Sequence, residues 1–395
     1  MTIKSMKLWG PLVAPLFIIW MCASLSSLGA KTLDIGLAGN FSMVVDSVDD
    51  PTLKYPRKAA ELALKKYEAQ LKSKDLQIQF QDFDYADNKI KTIQTAQSIA
   101  QSSVVAVVGY TNSSDALLAG PILQKAGVPF IAQSATAERL EEIGPFVRRA
   151  CFDDAFQGRI MADFARNDLK LKRVAVISVS DCAYCQSLRA SFKQRFLSLG
   201  AEVVFDEVFL SDDSNFASLI QSLKAVPDLD AIFFPNYERH AARVLPAFYD
   251  ADIRPRYWLS GDGWGASLNL LRKTMGQRKY VAYGIAHWRP DFGGSESKKF
   301  YSDFKSSYHL EPNDTAALVY DSVSMLIESI LKAKTISRDS ILAELESFKT
   351  YEGASGNFNY PPGKRTPLKD AVLIKIENSN VKSEKYIFEI KNRKP

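Results

Sequence analysis

Histidine and cysteine are scarce in this chain, with three of the first and four of the second in 395 residues. His240, His287 and His309 are far apart in sequence, and no cysteine stands near them in metal-ligand spacing, so nothing points to a zinc centre. There is no Gly-x-Ser-x-Gly elbow, no phosphate-binding P-loop and no His-Glu-x-x-His, which removes the best-marked hydrolase and nucleotide-binding classes. The Gly-rich stretch "GDGWG" at 261–265 lacks the spacing of a dinucleotide loop. Neither sign of charge dominates: 50 basic and 45 acidic residues are dispersed for a net +5, so no nucleic-acid partner is expected. Beyond the first 30 residues no apolar run approaches the roughly 18 residues of a membrane span. Repeats of 20–50 residues and low-complexity tracts are also missing, which excludes solenoids and propellers.

What is present begins with a leader. "MTIKSMK" carries two lysines, and "LWGPLVAPLFIIWMCASLSSLGA" is apolar and ends in small residues. This reads as a signal peptide, residues 1–30, cleaved after Gly29 or Ala30, and places the mature chain in the periplasm. Three cysteines then remain, Cys151, Cys182 and Cys185, an odd number that leaves at least one thiol without an internal partner.

The rest alternates between strand-like and helix-like segments. "TLDIGLAG", "LQIQFQDFD", "VVAVVGY" and "VPFIAQS" are separated by the helical patterns at 55–72, 88–102 and 113–127. That order gives a parallel sheet with helices on both faces. The same grammar restarts with "RVAVISV" and continues through "AEVVFDEVF", "LDAIFFPNY" and "RYWLSG", each followed or preceded by a helix. At this length two domains are expected. The fold class is therefore α/β, with two doubly wound, Rossmann-like lobes. The tail from "GNFNY" to "YIFEI" reads as short antiparallel strands.

Ligands of open α/β sheets bind beyond the carboxyl ends of the strands. Those ends carry Ser113, Ser134, Thr136, Tyr184, Tyr237 and Asp262, with Tyr110, Asn112, Ala135 and Trp264 as further candidates from the same stretches. Taken singly, Ser113 and Ser134 read equally as helix caps, Thr136 and Asp262 as turn residues, and the tyrosines as packing. Taken jointly they suit a free amino acid. Hydroxyls and a helix N-terminus would receive its carboxylate, Asp262 its ammonium, and two aromatic rings would wall the cleft.

Several stretches together resemble the type I periplasmic solute-binding proteins of ABC transporters, in the branched-chain amino acid and amide branch. They are "AVVGYTNSSDALLAGPILQKAGVPFIAQSATAERL", "VRRACFDDAFQG" with Arg149, Asp154, Gln157 and Gly158, "DCAYCQSL" and "AALVYDSVSMLIESILKA". The resemblance covers nearly the whole mature chain. It implies two lobes joined by a three-crossing hinge, with crossings expected near Asp153, Ala286 and Ser355. Lobe 1 would then comprise 31–153 and 286–355, and lobe 2 would comprise 154–285 and 356–395. It assigns the carboxylate to Ser113, Ser134 and Thr136, the aromatic wall to Tyr184 and Tyr237, and the ammonium to Asp262. It implies an amino acid or amide-like ligand, an ABC permease in the inner membrane as partner, no cofactor and no enzymatic activity. A sensory role with a receptor as partner shares every one of these features.

The chain also departs from the family. After its first strand comes "NFSMVVDSVDDPTLKYPRKAA", longer than usual and without Gly-Pro-x-Gly, and Asp262 is one methylene shorter than the common Glu. Side-chain specificity therefore does not transfer; Tyr55, Trp264 and Trp288 are candidates for setting it. Cys182 and Cys185 flank Tyr184 at a helix start, where redox catalysis, a local disulfide and two buried thiols all fit the spacing. The chain is too large and wrongly ordered for a thioredoxin-like oxidoreductase, which favours a bridge or buried thiols that stiffen the turn around Tyr184.

Overall fold

The computed structural model describes residues 30–42, 51–265 and 268–387. The expected signal peptide, apart from residue 30, and part of the loop after the first strand (43–50) lie outside the described residues. Among the described residues, no helix is long and apolar enough to cross a membrane.

Two parallel sheets organise the molecule. The first holds β1 (Lys31–Gly39), β2 (Leu76–Asp84), β3 (Ala106–Gly109), β4 (Phe130–Ala132) and β5 (Val147–Arg149) in the order β2-β1-β3-β4-β5. The second holds β6 (Arg173–Val179), β7 (Glu202–Phe209), β8 (Ala231–Phe233), β9 (Tyr257–Leu259) and β10 (Val281–Ala286) in the mirrored listing β10-β9-β8-β6-β7. A small antiparallel sheet follows, made of β11 (Thr350–Gly353), β12 (Gly356–Asn359) and β13 (Leu368–Lys369). Finally β14 (Ala371–Glu377) and β15 (Asn380–Ile387) add to the second sheet, each antiparallel to its neighbour. In both large sheets the strand order reverses beside the first strand, between β1 and β3 and between β6 and β8. Those reversals are where doubly wound sheets leave a crevice.

Helices cover both faces of each sheet. They are α1 (Tyr55–Ser73), α2 (Lys89–Gln101), α3 (Ser113–Lys125), α4 (Asp154–Asp163), α5 (Ala183–Ser198), α6 (Ala217–Lys224), α7 (Glu238–Asp250), α8 (Asn269–Met275), α9 (Ser295–Tyr308), α10 (Asp314–Lys332) and α11 (Arg338–Ser347). One face of the first sheet packs Leu33, Ile35 and Leu37 against α1 and α10, through Ala59, Tyr67, Val319 and Val323. The other face packs Val107 and Phe130 against α2 and α3, through Ala96, Ile99 and Ala119. Burial on both faces explains why these strands read as continuous apolar runs. A single core serves the second lobe and includes Val174, Val176, Ile232, Trp258 and Ile374.

The chain passes between the lobes after β5, after β10 and before β14. The third passage differs from the expectation near Ser355. Phe358 and Tyr360 sit in the first lobe's core, and the chain joins the second sheet only at Ala371. Residues 356–369, expected in the second lobe, thus pack with the first. An alternating strand pattern marks strands but not the sheet they join, and here two aromatic rings decide it. The three passages are tied together. Arg149 donates to Thr366 Oγ1 at 2.7 Å, Tyr360 donates to the Arg149 carbonyl at 2.8 Å, and buried Lys369 donates to the His287 carbonyl at 3.2 Å.

Candidate functional site

The end of β3 shows how the backbone shapes the site. Gly109 has φ +154°, and a Cβ there would meet the Ala38 carbonyl at 2.1 Å, so only glycine lets β3 turn out against β1. The chain then enters α3 with Ser113 in its first turn. Ser113 is buried, and its Oγ accepts from the Thr136 and Ala137 N–H groups at 3.2 and 3.1 Å. Ser113 therefore joins the loop after β3 to the loop after β4, and keeps its own proton to donate. Ser134 donates to the Thr111 carbonyl at 3.3 Å. The Thr136 carbonyl is held by Arg149 Nη1 and by the Asp154 N–H, both at 3.0 Å, which fixes that loop to the first interlobe passage.

From the second lobe, α5 delivers Tyr184 and the end of β8 delivers Tyr237. The rings stack with centroids 4.9 Å apart. Tyr184 is buried, and its hydroxyl oxygen accepts from the Gly263 N–H at 2.9 Å. This approach explains the glycines on either side of Asp262. A Cβ on Gly263 would meet Tyr184 Cε1 at 2.6 Å, and one on Gly261 would meet Gln157 Oε1 at 2.5 Å. Gln157 faces Asp262 with both ends of its amide: Nε2 donates to Oδ1 at 2.9 Å, and Oε1 accepts the Asp262 N–H at 3.0 Å. The same Nε2 donates to Asp154 Oδ1 at 2.8 Å, so one amide holds two carboxylates. His287 Nε2 lies 2.9 Å from Asp262 Oδ2, and its ring stacks on Phe152 at 3.9 Å.

Electrostatics follow from that crowding. Burial, and then the charge of Asp262, push the Asp154 carboxyl up to about 8. Burial also raises Asp314 above the usual carboxylate range, with His287 opposing and Asp262 adding to the rise. The Tyr184 hydroxyl is raised well above its ordinary value, chiefly by burial, and stays protonated.

Ser113, Ser134, Thr136, Tyr184, Tyr237 and Asp262 all line one cleft of about 210 Å³ between the lobes, with Asn112 and Trp264. The other residues singled out from the sequence lie elsewhere. Tyr110 is fully buried, stacked on Tyr85 and bonded through its hydroxyl to Thr95. Ala135 is in the core of the first lobe, as is Tyr55 against Phe304. Trp288 is buried and donates its indole N–H to Ser297. Each points away from the cleft because its ring or methyl completes a core.

The cleft also contains Thr111, Glu238, Gly263, Gly265, His287, Asn313, Asp314 and Thr315, which sequence reading did not select. His287 follows β10, so the strand-end rule would have found it had "VAYGIA" been read as a strand. Asn313 and Asp314 open α10, where Asn313 accepts the Ala316 N–H at 2.9 Å as a helix cap; Pro-Asn-Asp before an apolar run was the available signal.

Cys182 and Cys185 form a disulfide, and Cys151 is free and buried. Both bridged residues are buried, 6% and 0% exposed, unlike the accessible thiol of an oxidoreductase. Among the described residues, no group of His, Cys, Asp and Glu is arranged to hold a metal ion.

Comparison with known proteins agrees with this geometry. A leucine-binding protein of Thermotoga maritima superposes with a TM-score of 0.82 at 25% identity, covering 91% of this chain and 99% of that one. The substrate-binding protein of a branched-chain amino acid transporter from Streptococcus pneumoniae, solved with isoleucine, gives 0.80 at 25% identity over 90% of this chain and 99% of its own. An amino acid binding protein of Pseudomonas aeruginosa is 27% identical over 46% of this chain, a match that spans about half (48%) of that relative's length. Residues 46–380 match the family model described as periplasmic binding protein, and the chain belongs to that family.

Proposed function

We propose that this protein captures an α-amino acid, or a closely related small polar solute, outside the cytoplasm and delivers it to an ABC permease in the inner membrane. The observation that carries the reading is the convergence of Ser113, Ser134, Thr136, Tyr184, Tyr237 and Asp262, from two separate sheets, on one cleft. Ser113 and its neighbours at the start of α3 offer a hydroxyl and the positive end of a helix to a carboxylate. Asp262 offers a carboxylate to an ammonium. Both sets are pinned by hydrogen bonds to backbone or to Gln157, so little ordering remains to be done on binding. The relatives that bind leucine or isoleucine support the substrate class, and their transporter context supports the permease.

Ligand held by one lobe would recruit the other, because closing over it excludes water and strengthens each polar contact. The three interlobe passages would serve as the hinge. A melting-temperature screen of the chain from residue 31 against amino acids, amides and short organic acids tests the reading, since a ligand stabilises only the state that binds it. At least one α-amino acid should raise the melting temperature, and Asp262→Asn should weaken its binding by about 2–5 kcal/mol in calorimetry. A screen without any amino acid hit, or unchanged affinity in the variant, overturns it.

A further inference from the structure

Behind the cleft, two carboxylates share one amide. Gln157 is fully buried, and its Oε1 accepts the Asp262 N–H at 3.0 Å. A backbone N–H can only donate, so this bond fixes which end of the amide is nitrogen. Nε2 therefore faces both acids, donating to Asp262 Oδ1 at 2.9 Å and to Asp154 Oδ1 at 2.8 Å. Two oxygens that close to one nitrogen are under about 6 Å apart, inside the range at which like charges oppose each other's ionisation. A neutral amide orients the pair but supplies no charge to offset it. Asp154 is 0% exposed, whereas the Asp262 side chain keeps 11% exposure and lines the cleft. A proton shared by the pair therefore belongs on Asp154.

The groups around the pair bear on that proton differently. The Gln157 amide and the hydroxyls of Ser187 and Thr136 favour the charged form of Asp154, but burial and then the charge of Asp262 outweigh them. Arg149, from β5, gives Nη1 to the Thr136 and Ala137 carbonyls and Nε to Thr366. Asp153 accepts the Phe156 N–H as the cap of α4, and Glu138 accepts from Ser191. The Cys151 thiol and the Tyr184 and Tyr237 hydroxyls are all raised, chiefly by burial, and stay protonated. His287 stands on the other oxygen of Asp262, and Asp314, at the start of α10, feels both His287 and Asp262.

An α-ammonium received by Asp262 changes one of these influences. It leaves Asp154 as buried as before and cancels the negative charge that Asp154 feels across the amide. Resting on the reading of the cleft as an amino acid site, we propose that Asp154 is a further functional residue of that site, acting through Gln157 and Asp262, and that capture of an α-amino acid drives its proton into solvent. Neutral Asp154 becomes the carboxylate, the ligand keeps its ammonium, and one proton is set free. The empty form holds that proton more tightly than the filled form. Affinity for the amino acid therefore rises with pH through the window between the two and is level on either side of it.

Calorimetry of the chain from residue 31 tests this, using whichever of the common L-amino acids other than histidine and cysteine binds tightest. The titration is run at pH 7.5 in phosphate and in Tris, whose heats of ionisation differ. If the ligand weakens proton binding at Asp154 tenfold, about half a proton should be released, and affinity should rise about fivefold between pH 6.5 and pH 8.5. Asp154→Asn, which imitates the neutral acid, should still bind, with no buffer dependence and a level affinity over the same range. Infrared difference spectra of the unmutated protein serve if that variant does not fold: adding the amino acid should remove a protonated-carboxyl band. Binding without proton release, or without loss of that band, overturns this inference and leaves an amino acid receptor. Release that persists in Asp154→Asn also overturns it, since the proton then comes from another group such as His287 or Asp314. No binding by any amino acid overturns the reading of the site itself.

Discussion

At the scale of single residues, Asp154 is a carboxyl behind the cleft whose charge the fold disfavours. It is fully buried, 0% exposed, one amide away from Asp262. Its carboxyl titrates near 8 in the fold, against about 3.9 for an unperturbed aspartate. The folded protein therefore holds a proton there that the unfolded chain releases between pH 4 and pH 8. The folded pKa is the higher one, so this contribution to stability is complete below about pH 4, falls as pH rises, and is gone above about 8. Asp115 and Asp321, each raised to about 6 by burial, tilt stability the same way. Asp154→Asn keeps the shape without the proton. Urea unfolding should show the variant losing less stability between pH 5 and pH 8 than the parent. Equal losses would mean Asp154 is ionised throughout, with its charge met by some other group.

At the scale of elements, the start of α5 is where structure and function are most tightly joined. The disulfide closes a single turn around Tyr184, and the Cys182 sulfur accepts the Cys185 N–H at 3.2 Å in the place of a capping oxygen. In the neighbouring lobe, the Ser114 hydroxyl accepts the Ala183 N–H at 3.1 Å, so this turn also touches the start of α3. A loop this short gives a chain-entropy stabilisation of about 2 kcal/mol. Cys182→Ser with Cys185→Ser should lower the melting temperature by an amount matching that figure, and should weaken ligand binding because Tyr184 loses its anchor. A lower melting temperature with unchanged affinity would separate the bridge from the site.

The same element shows what was legible beforehand. Strand ends are visible in sequence because a buried parallel strand is a dense apolar run that stops at polar residues. Ser113, Ser134, Thr136, Tyr184, Tyr237 and Asp262 were reachable by that signal alone. His287 was not, because β10 carries a tyrosine and a glycine within six residues, and Asp314 was not, because it opens a helix instead of ending a strand. β5 is only three residues long, and its Val147-Arg148-Arg149 has no strand signature; the arginines are buried because they bond to carbonyls of distant segments, Arg148 to Phe348 and Arg149 to Thr136 and Ala137. Such partners depend on the tertiary fold and leave no local pattern. The third interlobe passage was misplaced for a similar reason, since the hairpin's sheet is chosen by where Phe358 and Tyr360 find a core.

At the scale of the whole molecule, the lobes already touch beyond the cleft. Arg239 on α7 faces Asp87 beside α2 at 3.8 Å, Lys89 on α2 faces Asp181 beyond β6 at 4.0 Å, and Ser191 on α5 donates to Glu138 at 2.9 Å. Each of these contacts joins one lobe to the other, so they form only when the lobes are together. The two ion pairs are long and partly exposed, and each is worth about 0.2–1 kcal/mol. They bias closure without locking it, which suits a receptor that must also release its ligand. Arg239→Ala with Lys89→Ala removes both. Small-angle scattering of the ligand-free double variant should then show a larger radius of gyration than the parent. Ligand affinity should fall by a few-fold, up to about thirtyfold if each pair reaches its upper value. The parent's affinity should drop between 50 mM and 500 mM salt more than the variant's, because screening acts on charges the variant no longer has. If the variant and parent scatter alike and respond alike to salt, closure is driven by the ligand and the hinge alone, and the charged rim has no part in setting the balance between open and closed forms.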